Sequence, residues 1–139
     1  MTSSETVAPA KTIRLLHGAF IFGIVMFAIV VHFLTRPAMA GETFPAAARN
    51  VLLGVSLAAS ALSLFVLRSR VPRRSREESA DLYWTTATAL ALMAWMPLEA
   101  GALLGVVVYM LYGTPAGLAV AAVAVVGFLV LAPGRLERA

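Results

Sequence analysis

Four runs of apolar residues, broken by short polar stretches, organise the chain: 15–34, 46–67, 90–112 and 116–132. A helix of about 20 mostly apolar residues crosses the hydrocarbon core of a bilayer. The first three runs reach that length, and the fourth sits at the short end of the range. Helices are expected throughout, because isolated strands leave backbone groups unsatisfied in lipid. A membrane β-barrel needs short segments of alternating polarity, and the runs do not alternate. The fold class is therefore read as all-α, a polytopic membrane protein with four transmembrane helices arranged as two hairpins. Residues 13–139 form one domain, and the small polar residues 1–12 are expected to be disordered.

The breaks carry their own signals. Pro37, Gly41 and Pro45 interrupt the first link, and Gly113, Thr114 and Pro115 turn the third run into the fourth. Ser75 and Glu78 match a capping box, which predicts that the third helix starts at Arg76 and runs to Tyr112. Such a helix would be about 50–55 Å long, well beyond the roughly 30 Å hydrocarbon core. Its first turns are expected to project from the membrane, with Tyr83 and Trp84 at the headgroup boundary.

Composition sharpens this reading. Apolar residues make up 60% of the 139 positions and charged residues 13%, against about 45–50% and about 25% in soluble domains. These values argue against a soluble enzyme, a disordered chain or a nucleic-acid-binding domain. With no cysteine, disulfides and thiolate chemistry are excluded, and no metal or cofactor site is read from the sequence.

The net charge of +4 comes from eleven basic and seven acidic residues. Nine of the eleven fall on one side of the expected spans: Lys11, Arg14, Arg68, Arg70, Arg73, Arg74, Arg76, Arg135 and Arg138. Arg36 and Arg49 fall on the other. The positive-inside rule puts both ends and the central loop in the cytoplasm. A competing reading takes the first run as a signal peptide cleaved between Ala40 and Gly41. The run is longer than the 7–15 residues of a signal core, and Arg36 and Pro37 interrupt the approach to the site.

Glu99 is the candidate functional acid, the sole carboxylate inside an apolar run. An ionised carboxylate near the bilayer centre costs about 2.5–3.5 kcal/mol on insertion scales, so an unpaired one is expected to be neutral. Its role is open between ion or proton chemistry and a structural hydrogen bond. Pro97, two residues earlier, is expected to kink the helix and free a carbonyl. Arg14 and His17 are the cationic candidates to approach Glu99. Gly101 and Gly105 form a G-x-x-x-G pair for close helix packing, against another helix of the chain or a second copy. His17 and His32 lie near opposite ends of the first helix, too far apart to share a metal. Residues 28–34 and 105–111 are similar, which suggests a tandem duplication with Phe22 in the position of Glu99.

The stretch 98–113, from Leu98-Glu99 through Gly101 and Gly105 to the Gly113 turn, resembles a group of small bacterial four-helix membrane proteins. His17-Gly18-Ala19 is similar to the opening of their first helix. That resemblance implies the fold and no activity. A remoter likeness is to the proteolipid c-subunits of rotary ATPases, which carry one membrane carboxylate. There it lies on the second helix of a hairpin, whereas Glu99 lies on the first.

The function expected is a small non-enzymatic membrane protein, an accessory or self-associating helix bundle. The alternative is a proton- or cation-coupled small transporter working as an oligomer around Glu99. The expected partners are the lipid bilayer and a homo-oligomer or larger membrane complex, with no nucleic acid.

Overall fold

The computed structural model describes residues 8–34 and 45–138. Its elements are helices α1 (Pro9–Leu34), α2 (Ala46–Ala61), α3 (Ala80–Tyr112), α4 (Pro115–Val130) and the short α5 (Pro133–Leu136). Helix α2 continues through a π turn over Leu62–Leu67 and a 3₁₀ turn over Arg68–Arg70. The all-α class is as expected from the apolar runs. Three helical segments, Pro9–Leu34, Ala46–Arg70 and Ala80–Tyr112, are long and apolar enough to cross a membrane, and α4 is shorter with 16 residues. At 1.5 Å per residue α4 measures about 24 Å, some 6 Å less than a hydrocarbon core.

Helix α3 is the centre of the bundle. Half of its apolar stretch is buried, against 17% for α1 and α2, and it packs on α1, α2 and α4. Ala87, Ala91, Ala94, Leu98 and Ala102 recur every three or four residues and form its buried stripe. Such small residues let helices approach closely, which matters because packing is the main glue between helices in lipid. Trp84, Trp95, Tyr83 and Phe128 are the largest fully buried side chains and fill the gaps left beside the alanines.

Cross-contacts fix the direction of each helix. Along α1, Ala10 meets Asp81, His17 meets Trp95, and His32 meets Tyr109, so α1 runs parallel to α3. Ser56 and Ser63 of the α2 segment bond the carbonyls of Gly101 and Ala94, so it runs antiparallel. Helix α4 also runs antiparallel, from Gly117 beside Gly105 to Leu131 beside Trp95. The chain therefore alternates up and down. Both described chain ends and the 68–79 connection gather at one end of the bundle, where the basic residues concentrate.

Several expectations are corrected. The first two helices are not a packed hairpin: α1 packs on α3, α4 and α5, and α2 on α3 and α4. Helices α3 and α4 form a closely packed hairpin, turned at Gly113 in the left-handed conformation (φ 62°). Glycine adopts that conformation without a Cβ penalty and so ends α3. The expected disorder over 1–12 gives way to helix from Pro9 onward; residues 1–7 lie outside the described residues. So do Arg36, Pro37, Gly41 and the Ala40 cleavage site. The cap of α3 is Ser79, whose hydroxyl accepts from the Leu82 N–H at 3.2 Å. Ser75 instead accepts a backbone turn bond from the Glu78 N–H at 3.3 Å. Tyr83 and Trp84 are 1% and 0% exposed, enclosed by the rest of the chain where Tyr83 meets Pro72 and Trp84 meets Glu137.

Gly101 and Gly105 face two different helices of the same chain. A Cβ on Gly101 would stand 2.8 Å from the Ser56 carbonyl oxygen of α2. A Cβ on Gly105 would stand 2.7 Å from the Gly117 carbonyl oxygen of α4. The G-x-x-x-G pair is consumed inside the bundle, in the groove where α2 and α4 meet α3. Of the two partners expected for it, the intramolecular one is observed.

Candidate functional site

The polar chemistry of the molecule concentrates where α4 ends. A helix leaves its last carbonyls without intrahelical donors, and α4 ends inside the bundle. The Gly127 carbonyl is satisfied by the Leu131 N–H. His17 Nε2 lies 2.9 Å from the Phe128 carbonyl oxygen. A carbonyl only accepts, so Nε2 carries the proton. Trp95 Nε1–H donates to the Leu131 carbonyl at 3.1 Å. The His17 ring also packs edge-on against Trp95 at 4.9 Å and against Phe128 at 5.7 Å. One side chain from α1 and one from α3 thus cap the end of α4.

One turn further on, Pro133 opens α5 and Glu137 follows it. Its carboxylate Oε1 accepts from Trp84 Nε1–H at 2.8 Å and from Arg14 at 3.2 Å. Its Oε2 accepts from Arg74 at 3.5 Å. Arg74 in turn donates through Nε to the Glu78 carbonyl at 2.9 Å. The Glu137 side chain is only 9% exposed. Burial alone pushes this carboxyl up, but the Trp84 indole and the Arg14 and Arg74 guanidiniums outweigh it and hold it below the usual carboxylate range. Tyr83 completes the junction by donating to the Pro72 carbonyl at 2.9 Å. Residues from α1, α3 and the 71–79 connection converge on this one acid at the end of α5.

The sequence-derived candidates fall differently. Glu99 is partly buried on α3, and among the described residues its carboxyl has no hydrogen-bond or ion-pair partner. Arg14 and His17 do not approach it: Arg14 engages Glu137, and His17 engages Phe128. His17 lies level with Trp95, one turn short of Glu99. Helix α3 runs unbroken through Pro97, and Ser63 of the π turn that continues α2 donates to the Ala94 carbonyl, next to the Met93 carbonyl that the proline deprives of its usual donor. His32 pairs with the Tyr109 hydroxyl at 2.9 Å at the opposite end. Among the described residues no three His, Asp or Glu side chains come together as a metal site.

Glu137 is the residue that sequence reasoning misses. Its only signal is an acid set among Arg135 and Arg138, close behind a helix-starting proline. No protein-family model, curated protein or solved structure matches the chain.

The His17 cap makes a direct prediction. In His17→Leu the Phe128 carbonyl loses its donor within the bundle, and thermal stability in detergent should fall by about 1–2 kcal/mol. A melting temperature equal to wild type would show that the carbonyl finds another donor at no cost.

Proposed function

We propose that the chain is a small, non-enzymatic integral membrane protein of a bacterial inner membrane, an accessory subunit or helix-bundle scaffold. It crosses the bilayer four times with both described ends in the cytoplasm. One observation carries this reading: most of the polar groups buried in the bundle interior bond across from one helix to another. His17, Trp95, Ser56 and Ser63 each bond a carbonyl on a neighbouring helix. Outward, α1 and α2 present large apolar side chains, among them Phe22, Phe33 and Phe65, at 66%, 80% and 80% exposure. Bilayer lipid or partner helices are the natural cover for such faces. Self-association, where it occurs, uses these outer faces, since the α3 glycines are already occupied.

The fourth crossing is supported by the reach of the segment from Pro115 to Glu137. It follows α3 from the level of Tyr109 back to that of Trp84. The nine basic residues at the end of the bundle that holds both described chain ends support the orientation. A C-terminal reporter active only outside the cytoplasm should be silent, and one fused just before Pro45 should be active. The reverse pattern overturns the orientation.

The carboxyl of Glu99, without a partner among the described residues, favours a second reading, a proton- or cation-coupled transporter. In vesicles reconstituted with the protein, the accessory reading expects proton flux no greater than in empty vesicles. Flux that is abolished by Glu99→Gln and retained by Glu99→Asp would establish the transporter instead.

A further inference from the structure

The π and 3₁₀ turns at the end of the α2 segment, the connection that follows them and α5 enclose a cavity of about 380 Å³. Its walls change character along its length. Leu64, Phe65 and Leu136 form an apolar side, and Arg68 and Arg73 form the other. The arginines are exposed, and among the described residues neither has an acid or carbonyl partner. Arg74, six residues beyond Arg68, contrasts with them because Glu137 already neutralises it. The cavity therefore offers two uncommitted guanidiniums beside an apolar floor. It lies at the level where the apolar face of α2 gives way to arginine, which is the headgroup level of a bilayer.

We propose that this cavity binds the phosphate headgroup of an anionic phospholipid, with its acyl chains laid along the exposed Leu62, Phe65 and Val66 face of α2. Guanidinium pairs match phosphate oxygens through parallel N–H donors, and basic pockets at the cytoplasmic side of membrane helices hold anionic headgroups. The walls are held in place before any lipid arrives. Tyr83 fixes the Pro72 carbonyl, and the Glu137 junction seats α5 with Leu136 against the cavity. The inference rests on the membrane reading given above.

The test uses the full chain purified in a neutral detergent. Added phosphatidylglycerol should raise its melting temperature in a saturable way, whereas phosphatidylcholine and inorganic phosphate should not. Arg68→Gln with Arg73→Gln should weaken phosphatidylglycerol binding roughly 25-fold, at about one kcal/mol for each arginine near the headgroups. Arg70→Gln with Arg76→Gln removes the same charge outside the cavity and should bind within about threefold of wild type, a fraction of one such contact. The lipid-free melting temperatures of both doubles should match wild type. Equal loss in the two doubles, or equal stabilisation by phosphatidylcholine, overturns the site. Stabilisation by inorganic phosphate to the same extent overturns the lipid assignment. A chain that stays in solution without detergent overturns the membrane reading itself; a membrane-bound chain with no phosphatidylglycerol response overturns only the cavity.

Discussion

Gly117→Val should drive α4 off α3 and lower stability in detergent by about 3 kcal/mol, the upper part of the range for overpacking a tight site. The cause is backbone against backbone. A Cβ at this position would lie 2.6 Å from the Tyr109 amide nitrogen, and closer still to the Gly105 carbonyl oxygen. Neither atom is the end of a flexible side chain, so a whole helix must move. Gly105→Val should behave alike, because its Cβ meets the Gly117 carbonyl from the other side. The contrast lies in Gly18, Gly23 and Gly54, where an added Cβ finds nothing within 4 Å. Alanine at those positions should stabilise by about 0.5–1 kcal/mol through the lower entropy of the unfolded chain. Melting temperatures and the oligomeric state in detergent decide the matter together. An oligomer that dissociates in Gly105→Val while the monomer keeps its stability would move that contact from inside the chain to between copies.

Glu137→Ala should cost about 2 kcal/mol and loosen the basic end of the bundle. It leaves the Trp84 indole N–H without an acceptor and Arg74 without its counter-charge, in a site that is mostly closed to solvent. The Arg14 contact adds little, since its side chain is 58% exposed and solvent screens the pair. The carboxyl is held below its ordinary range when folded, so it binds fewer protons folded than unfolded. Its contribution is then complete above the ordinary carboxylate range and is lost as pH falls through the lowered folded-state value. Melting temperature measured from neutral to acid pH should fall more steeply for wild type than for Glu137→Gln. Parallel curves would remove the charge from the explanation and leave only packing.

The helices themselves were legible, because long apolar runs punctuated by proline and glycine have few other readings. The glycine turn at Gly113 and the tight packing of Gly101 and Gly105 followed from backbone sterics that local sequence exposes. The junction around Glu137 was not legible. Its partners Arg14, Arg74 and Trp84 lie 123, 63 and 53 residues away, and nothing local marks them as neighbours. Arg14 illustrates the difficulty. A cation near one end of α1 suggested the apolar-span acid Glu99, but parallel packing of α1 and α3 sets His17 level with Trp95 and leaves Arg14 a further turn behind. The nearest acid at that level arrives from the far end of the chain. The cap of α3 differs for a local reason: Ser75 and Ser79 both precede helix-compatible residues, and the turn bond from the Glu78 N–H to the Ser75 carbonyl keeps the first serine in the connection.

The unequal lengths of α3 and α4 have a consequence for the surrounding lipid. Helix α3 spans 33 residues, about 50 Å, while α4 spans 16, about 24 Å. On the four-span reading proposed above, the apolar belt is lower beside α4 than elsewhere on the bundle, and the two leaflets would draw together to meet it. Such hydrophobic mismatch costs a fraction of a kcal/mol for each ångström. The strain disappears when another helix covers the low side or when the bilayer is already thin there. A tapered belt of this kind gives the protein a preferred flank for company, set by the height of its walls and not by any single side chain.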